Sequence, residues 1–124
     1  MLTDGMLLRI YVAESVRIKE RPAYKYLVDY FQKRKFPGCT VFRGMAGYGQ
    51  DLRIRTVDVL NLSLDLPVII DVVDTEERIM AIVPEVEAMV EHGLVTVQKV
   101  QMGQKRDLQG TRGDPTGTAA SSDT

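Results

Sequence analysis

One cysteine, one histidine and no tryptophan make a thin stock of reactive side chains for 124 residues. Cys39 has no intramolecular disulfide partner, which points to a reducing compartment. A zinc site would have to be built almost wholly from oxygen ligands, because His92 and Cys39 are the only imidazole and thiol. Nor is there a second histidine for a nucleophile relay, so no enzyme is expected. Long apolar runs are missing too: stretches such as Met6-Leu7-Leu8 and Val68-Ile69-Ile70 fall far short of the ~20 residues that cross a bilayer. Asp4 stands where a signal peptide carries basic residues, and Arg9 interrupts the apolar stretch, so the protein is expected to be cytoplasmic.

Net charge is nearly absent at −1, but the sum conceals a division. Residues 1–55 carry 11 Lys and Arg against 5 Asp and Glu, whereas residues 56–102 carry 2 against 9. Two oppositely charged halves of one domain complement each other within the fold or between subunits. No basic stripe is interleaved with exposed aromatics, so nucleic acid is not an expected partner.

What is present is a core. Apolar residues make up 44% and charged residues 27%, the balance of an ordinary globular domain, and the length suits one core. Met6–Ala13 is rich in β-formers and predicts a central strand. From Pro22 to Lys35, Ala23, Leu27, Tyr30 and Phe31 recur at helical spacing, and Phe36-Pro37-Gly38 ends the pattern. Thr40–Gly44, Leu66–Val73 and Leu94–Met102 read as strands. Between the last two, Asp74-Thr75-Glu76-Glu77 resembles a capping box opening a helix with Ile79, Ile82, Val83, Val86, Met89 and Val90 on its buried face. Pro84 is expected to kink that helix and Gly93 to cap it.

The order βαββαβ predicts an α+β, ferredoxin-like sandwich with an antiparallel sheet and both helices on one face. Ile10, Val12, Ile70 and Val72 are then candidates for the sheet face that the helices leave open. The connection from Met45 to Asp65 is long for a hairpin, and within it residues 57–62 alternate as an extended hairpin would. Residues 1–102 form the expected domain. Residues 103–124, rich in Gly, Ser, Thr and Asp, read as a disordered tail.

One segment concentrates glycine. Gly38-Cys39-Thr40-Val41-Phe42-Arg43-Gly44-Met45-Ala46-Gly47-Tyr48-Gly49 begins as a strand and ends as a loop. Glycines 44, 47 and 49 permit positive φ and an inward-turned set of backbone N–H groups, while Arg43, Arg53 and Arg55 flank them, a combination that suits a phosphate. A tight hairpin without any ligand uses the same residues, and the glycine order fits neither a dinucleotide fingerprint nor a Walker loop.

Read with Asp65-Leu66-Pro67-Val68-Ile69-Ile70-Asp71-Val72-Val73-Asp74 and Gly93-Leu94-Val95-Thr96, this segment resembles the family called domain of unknown function 190. That family is PII-like, similar to the trimeric PII signalling proteins. The resemblance implies a homotrimeric regulatory protein that binds an adenine nucleotide, AMP or ADP, in clefts between subunits and acts on a partner through the loop 45–65. Membrane transporters are frequent PII clients. Carried onto this chain, the ligand-binding residues are Arg43, Gly44, Gly47, Tyr48, Gly49, Gln50, Arg53 and Arg55. Two departures stand out. The PII glutamine after Gly-aromatic-Gly aligns with Asp51, with Gln50 one place early, and the PII phosphate loop after helix two is replaced by Glu91-His92-Gly93-Leu94. The first departs from the PII site for Mg–nucleotide and 2-oxoglutarate, and the second favours a ligand with fewer phosphates than ATP. The rival readings are a divalent-metal-binding trimer like the cation-tolerance proteins and a protein-interaction module without nucleotide. Met80 and Met89 are expected on or beside the buried helix face, as packing rather than metal ligands.

Overall fold

The computed structural model describes residues 1–57 and 65–103. Its elements are β1 (Thr3–Ala13), β2 (Arg17–Ile18), β3 (Arg21–Pro22), α1 (Ala23–Lys33), β4 (Thr40–Arg43), β5 (Ala46–Gly47), β6 (Arg55–Thr56), β7 (Pro67–Asp74), α2 (Glu76–Met89) and β8 (Leu94–Met102). Four of the strands make one antiparallel sheet in the order β4-β7-β1-β8. This is the ferredoxin-like arrangement, with the two most apolar strands in the centre.

Strand parity sets the core. Leu8 pairs with Val72, Ile10 with Ile70 and Val12 with Val68, and all six are buried. They pack against Ala23, Leu27 and Phe31 of α1 and Ile79 and Val86 of α2 in one cluster. Each large apolar side chain fully buried there contributes about 1.5–3 kcal/mol relative to exposure. Phe31 meets Tyr30 and Phe36 edge to face, with ring centroids 5.2 and 5.5 Å apart. Ile10, Val12, Ile70 and Val72 therefore face the helices, not the open side. The open side carries Leu7, Tyr11, Ile69 and Val73, the alternate positions of the same strands. Nearly continuous apolar runs hide the parity from sequence.

The helix ends also differ from expectation. Thr75, not Asp74, is the N-cap of α2, its hydroxyl accepting from the Arg78 N–H at 3.3 Å. Asp74 is fully buried; its carboxylate accepts from the Thr75 N–H at 2.7 Å and from Arg78 Nη1 at 2.6 Å. Arg78 then reaches α1, donating to the carbonyls of Arg34 and Lys35 and lying 4.2 Å from the Phe36 ring centre. It satisfies carbonyls that the end of α1 leaves open. Pro22 stands just before α1 as its N-cap, and α2 continues through Pro84. Val90 caps α2. Gly93 serves packing, since a Cβ there would strike the Val90 side chain and lie 2.5 Å from the Tyr11 carbonyl. Ile82, Val83 and Met89 are only partly buried, and Met80 is exposed.

The connection between β4 and β7 has structure of its own. Ala46 pairs with Thr56 and Gly47 with Arg55, forming a short ladder. The alternating stretch expected over 57–62 lies outside the described residues from 58 on, as does the expected tail from 104 on.

Candidate functional site

The base of this connection is assembled by close approach and by carboxylates. Gly44 donates its N–H to the Pro67 carbonyl at 2.7 Å, continuing the β4–β7 ladder. A Cβ at position 44 would lie 2.8 Å from Pro67 Cγ, so only glycine fits without displacement. At position 47 the same ring carbon would be 3.3 Å away. None of glycines 44, 47 and 49 takes a positive φ, so the inward-turned N–H cradle expected from sequence does not form this way. Leu52, at φ 61, supplies the left-handed turn of the hairpin tip, and Asp65, at φ 43, a second one where the chain re-enters the sheet.

Two acids that sequence reasoning passed over organise the base. Glu14 accepts from Arg43, with Nε 2.9 Å from Oε2 and Nη2 3.1 Å from Oε1, and also from the Leu66 N–H at 3.3 Å. Asp65 accepts from the Ser15 N–H at 2.7 Å and faces Arg55 Nε at 3.6 Å. The turn after β1 is thus tied to the chain entering β7, and Arg43 and Arg55 are drawn onto the tie. Their only sequence signal is position: Glu14 follows the first strand, and Asp65 opens Asp65-Leu66-Pro67.

Arg55 also binds Asp51, with Nη2 3.1 Å from Oδ2. Asp51 accepts the Arg53 N–H at 3.0 Å as well. These contacts, the Arg55 hydrogen bond foremost, hold the Asp51 carboxyl below the ordinary range, and Asp51 in turn raises the Arg55 guanidinium. The Arg53 guanidinium has no hydrogen bond or ion pair among the described residues. Arg43, Gly44 and Gly47 therefore gather around Pro67, with Arg55 across the ladder, while Tyr48, Gly49, Gln50 and Arg53 lie on the exposed outer part. Leu52 and Ile54 on that outer part, with Met45 and Val57 at the foot of the ladder, are each 49–76% exposed, an apolar fringe on a small hairpin.

Other candidate chemistry is muted. Cys39 is partly buried, and burial, with Asp71 nearby, pushes its thiol up to about 11, so it is protonated at neutral pH. His92 and its neighbour Glu91 are exposed beyond α2, 3.9 Å apart. Among the described residues no three His, Cys, Asp or Glu side chains gather as metal ligands, and no helix is long and apolar enough to cross a membrane. Grooves open on the surface of the described residues. One of about 410 Å³ on the open sheet face is lined by Leu7, Phe42, Asp71 and Val73; one of about 330 Å³ beside α1 is lined by Tyr24, Lys25, Val28 and Val41. Neither is at the loop base.

The body is ferredoxin-like, and a long connection tied to it by carboxylates joins the second and third strands of its sheet in chain order. Among solved structures, the fold is similar to that of CPII, a nitrogen regulatory PII-like protein from Thiomonas intermedia, bound to ADP, AMP and bicarbonate. That match has a TM-score of 0.65 at 18% identity and covers 84% of this chain and 92% of CPII. A further CPII structure, bound to ADP and bicarbonate, matches with a TM-score of 0.55 at 20% identity, over 84% and 93%. Residues 5–102 match the model of the domain of unknown function 190, described as an uncharacterized ACR, COG1993, and the chain belongs to that family. A UPF0166 protein of Aquifex aeolicus is 36% identical over 96 residues, 77% of this chain and 90% of the relative. One of Methanocaldococcus jannaschii is 33% identical over 97 residues, 77% and 89%.

Proposed function

We propose that the protein is a PII-like signalling regulator rather than an enzyme. Copies associate through the open sheet face as a homotrimer, an adenine nucleotide such as AMP or ADP binds in clefts between them at the base of the 45–65 connection, and that connection acts on a partner protein. Tyr48, Gly49 and Gln50 line the cleft beside Gly44 and Gly47.

The observation that carries this reading is the division of labour within the connection. Its base is pinned to the body through Gly44 and Pro67 and through Glu14 and Asp65, whereas its outer part presents Tyr48, Leu52 and Ile54 to solvent. A pinned base beside an exposed tip is what a ligand needs to shift a loop between populations. Arg43 is the lever. A nucleotide phosphate that draws its guanidinium from Glu14 loosens the carboxylate that also holds the Leu66 N–H. Arg53, whose guanidinium is unengaged among the described residues, is the second phosphate contact, and Arg55 the third if it leaves Asp51. The nucleotides bound to CPII support the ligand class.

Isothermal titration of the full chain with AMP, ADP, ATP and cyclic AMP, with and without Mg²⁺, tests this reading. AMP or ADP is expected to bind, and Arg43→Ala or Gly47→Ala to weaken binding by about tenfold, ~1.4 kcal/mol, with the fold intact. Silence across all four nucleotides favours the second reading, an interaction module without nucleotide. The pairing of Arg43 with Glu14 and of Arg55 with Asp51 favours that module.

A further inference from the structure

The open sheet face carries a pattern that the assembly proposed above leaves unexplained. Strand register aligns Thr40, Asp71, Arg9 and Thr96 in one row across β4, β7, β1 and β8. On one side lies the row Phe42, Ile69, Tyr11 and Leu94, wholly apolar but for the tyrosine hydroxyl; on the other are Val73, Leu7 and Gln98. Arg9 and Asp71 are the only charged residues among these positions. They sit directly opposite each other and bond in the two-pronged fashion, Nε to Oδ1 and Nη2 to Oδ2, both at 2.7 Å. The pair is part exposed, 37% for the Arg9 side chain and 16% for Asp71.

We propose that this polar row sets the register and the number of copies when the sheet faces of this protein associate; the proposal rests on the self-association put forward above. An apolar sheet face on its own is permissive, since apolar contacts carry little directional information and rows can slip past one another. A two-pronged ion pair in the middle of that face is not. Covering it removes both ions from water, and the guanidinium N–H groups not taken by Asp71 and the neighbouring Tyr11 hydroxyl must find acceptors or the contact is penalised. A second copy brings further acceptors, the hydroxyls of Thr40 and Thr96 and the remaining lone pairs of Asp71, with an apolar row on one side and Val73 and Leu7 on the other. The charges of each copy cancel internally, so like faces meet without repulsion at their centre. An all-apolar partner surface would leave the row unsatisfied.

The test is sedimentation velocity on the full chain over a wide concentration range, with circular dichroism to follow the fold. Wild type is expected to sediment as one species of trimer mass. Asp71→Leu, which strands Arg9, should raise the concentration for half-dissociation at least about tenfold. The double replacement Arg9→Met with Asp71→Leu should still associate but as a mixture of masses, and the exchange Arg9→Asp with Asp71→Arg should recover a single species. A double apolar variant that sediments as the same single trimer as wild type overturns the role given to the row and leaves the assembly standing. A wild type that is monomeric throughout removes the assembly, and this role with it.

Discussion

At position 44, tenths of an ångström separate glycine from any other residue. The Pro67 ring is tied into the backbone and yields only through its pucker, so a Cβ placed 2.8 Å from its Cγ forces a shift of ring or backbone. Gly44→Ala is expected to cost about 1–3 kcal/mol in urea denaturation, the usual range for overpacking. Gly49, where an added Cβ meets nothing within 4 Å, should tolerate alanine within about 0.5 kcal/mol. Equal costs at the two positions would show that close approach is not what selects glycine here. Tyr30 offers a different test. Burial, helped by its hydrogen bond to Glu85 at 2.6 Å, pushes the phenol up to about 12. Below the ordinary tyrosine value of about 10, native and unfolded chains both keep the proton and stability is undiminished. Between about 10 and 12 the unfolded chain releases it first, so stability falls as pH rises, by at most ~1.4 kcal/mol per pH unit for this one group. Urea denaturation at several pH values should show a shallower fall for Tyr30→Phe than for wild type; parallel curves would sink the assignment.

At the scale of elements, α1 and α2 are fastened by Arg78 more than by their propensities. It pairs with buried Asp74, donates to two carbonyls at the end of α1 and covers Phe36. Arg78→Ala is expected to cost roughly 2–3 kcal/mol, because bonds to a charged group and a partner of a buried carboxylate go together. Thr75→Ala, which removes only the α2 cap, should cost about 1 kcal/mol. Chemical denaturation of the two variants side by side checks the order, and a Thr75 variant less stable than the Arg78 variant would reverse it. The element order itself was legible in the sequence, and β8 falls on Leu94–Met102 as its β-formers indicate. Which face of β1 and β7 turns inward was not, because both alternations are apolar and only packing against Leu27, Phe31, Ile79 and Val86 distinguishes them. The arginines and glycines of the candidate site were visible as residue types. Their partners Glu14, Asp65 and Pro67 were not, since 52 positions separate Glu14 from the Leu66 N–H it accepts and no local pattern spans that gap.

For the whole molecule, the question is whether the ligand cleft exists in one chain at all. The two grooves described above lie away from the residues proposed to meet a nucleotide, one on the open sheet face and one beside α1. If the cleft is completed by a neighbouring copy, assembly and ligand binding must fail together. Phe42 can separate the possibilities. It lies on the open face, 49% exposed, paired with Ile69, so a carboxylate there disturbs little of the folded chain. In an assembled face the same carboxylate would be buried without a cation among apolar side chains, a cost of several kcal/mol. Phe42→Asp is therefore expected to yield a folded monomer, with circular dichroism like that of wild type, that binds neither AMP nor ADP in titration. A folded monomer that binds nucleotide as wild type does would place the whole cleft within one chain and dissociate the sheet face from the ligand. A variant that stays trimeric would move the subunit contacts off the face where Leu7, Tyr11, Ile69 and Val73 gather.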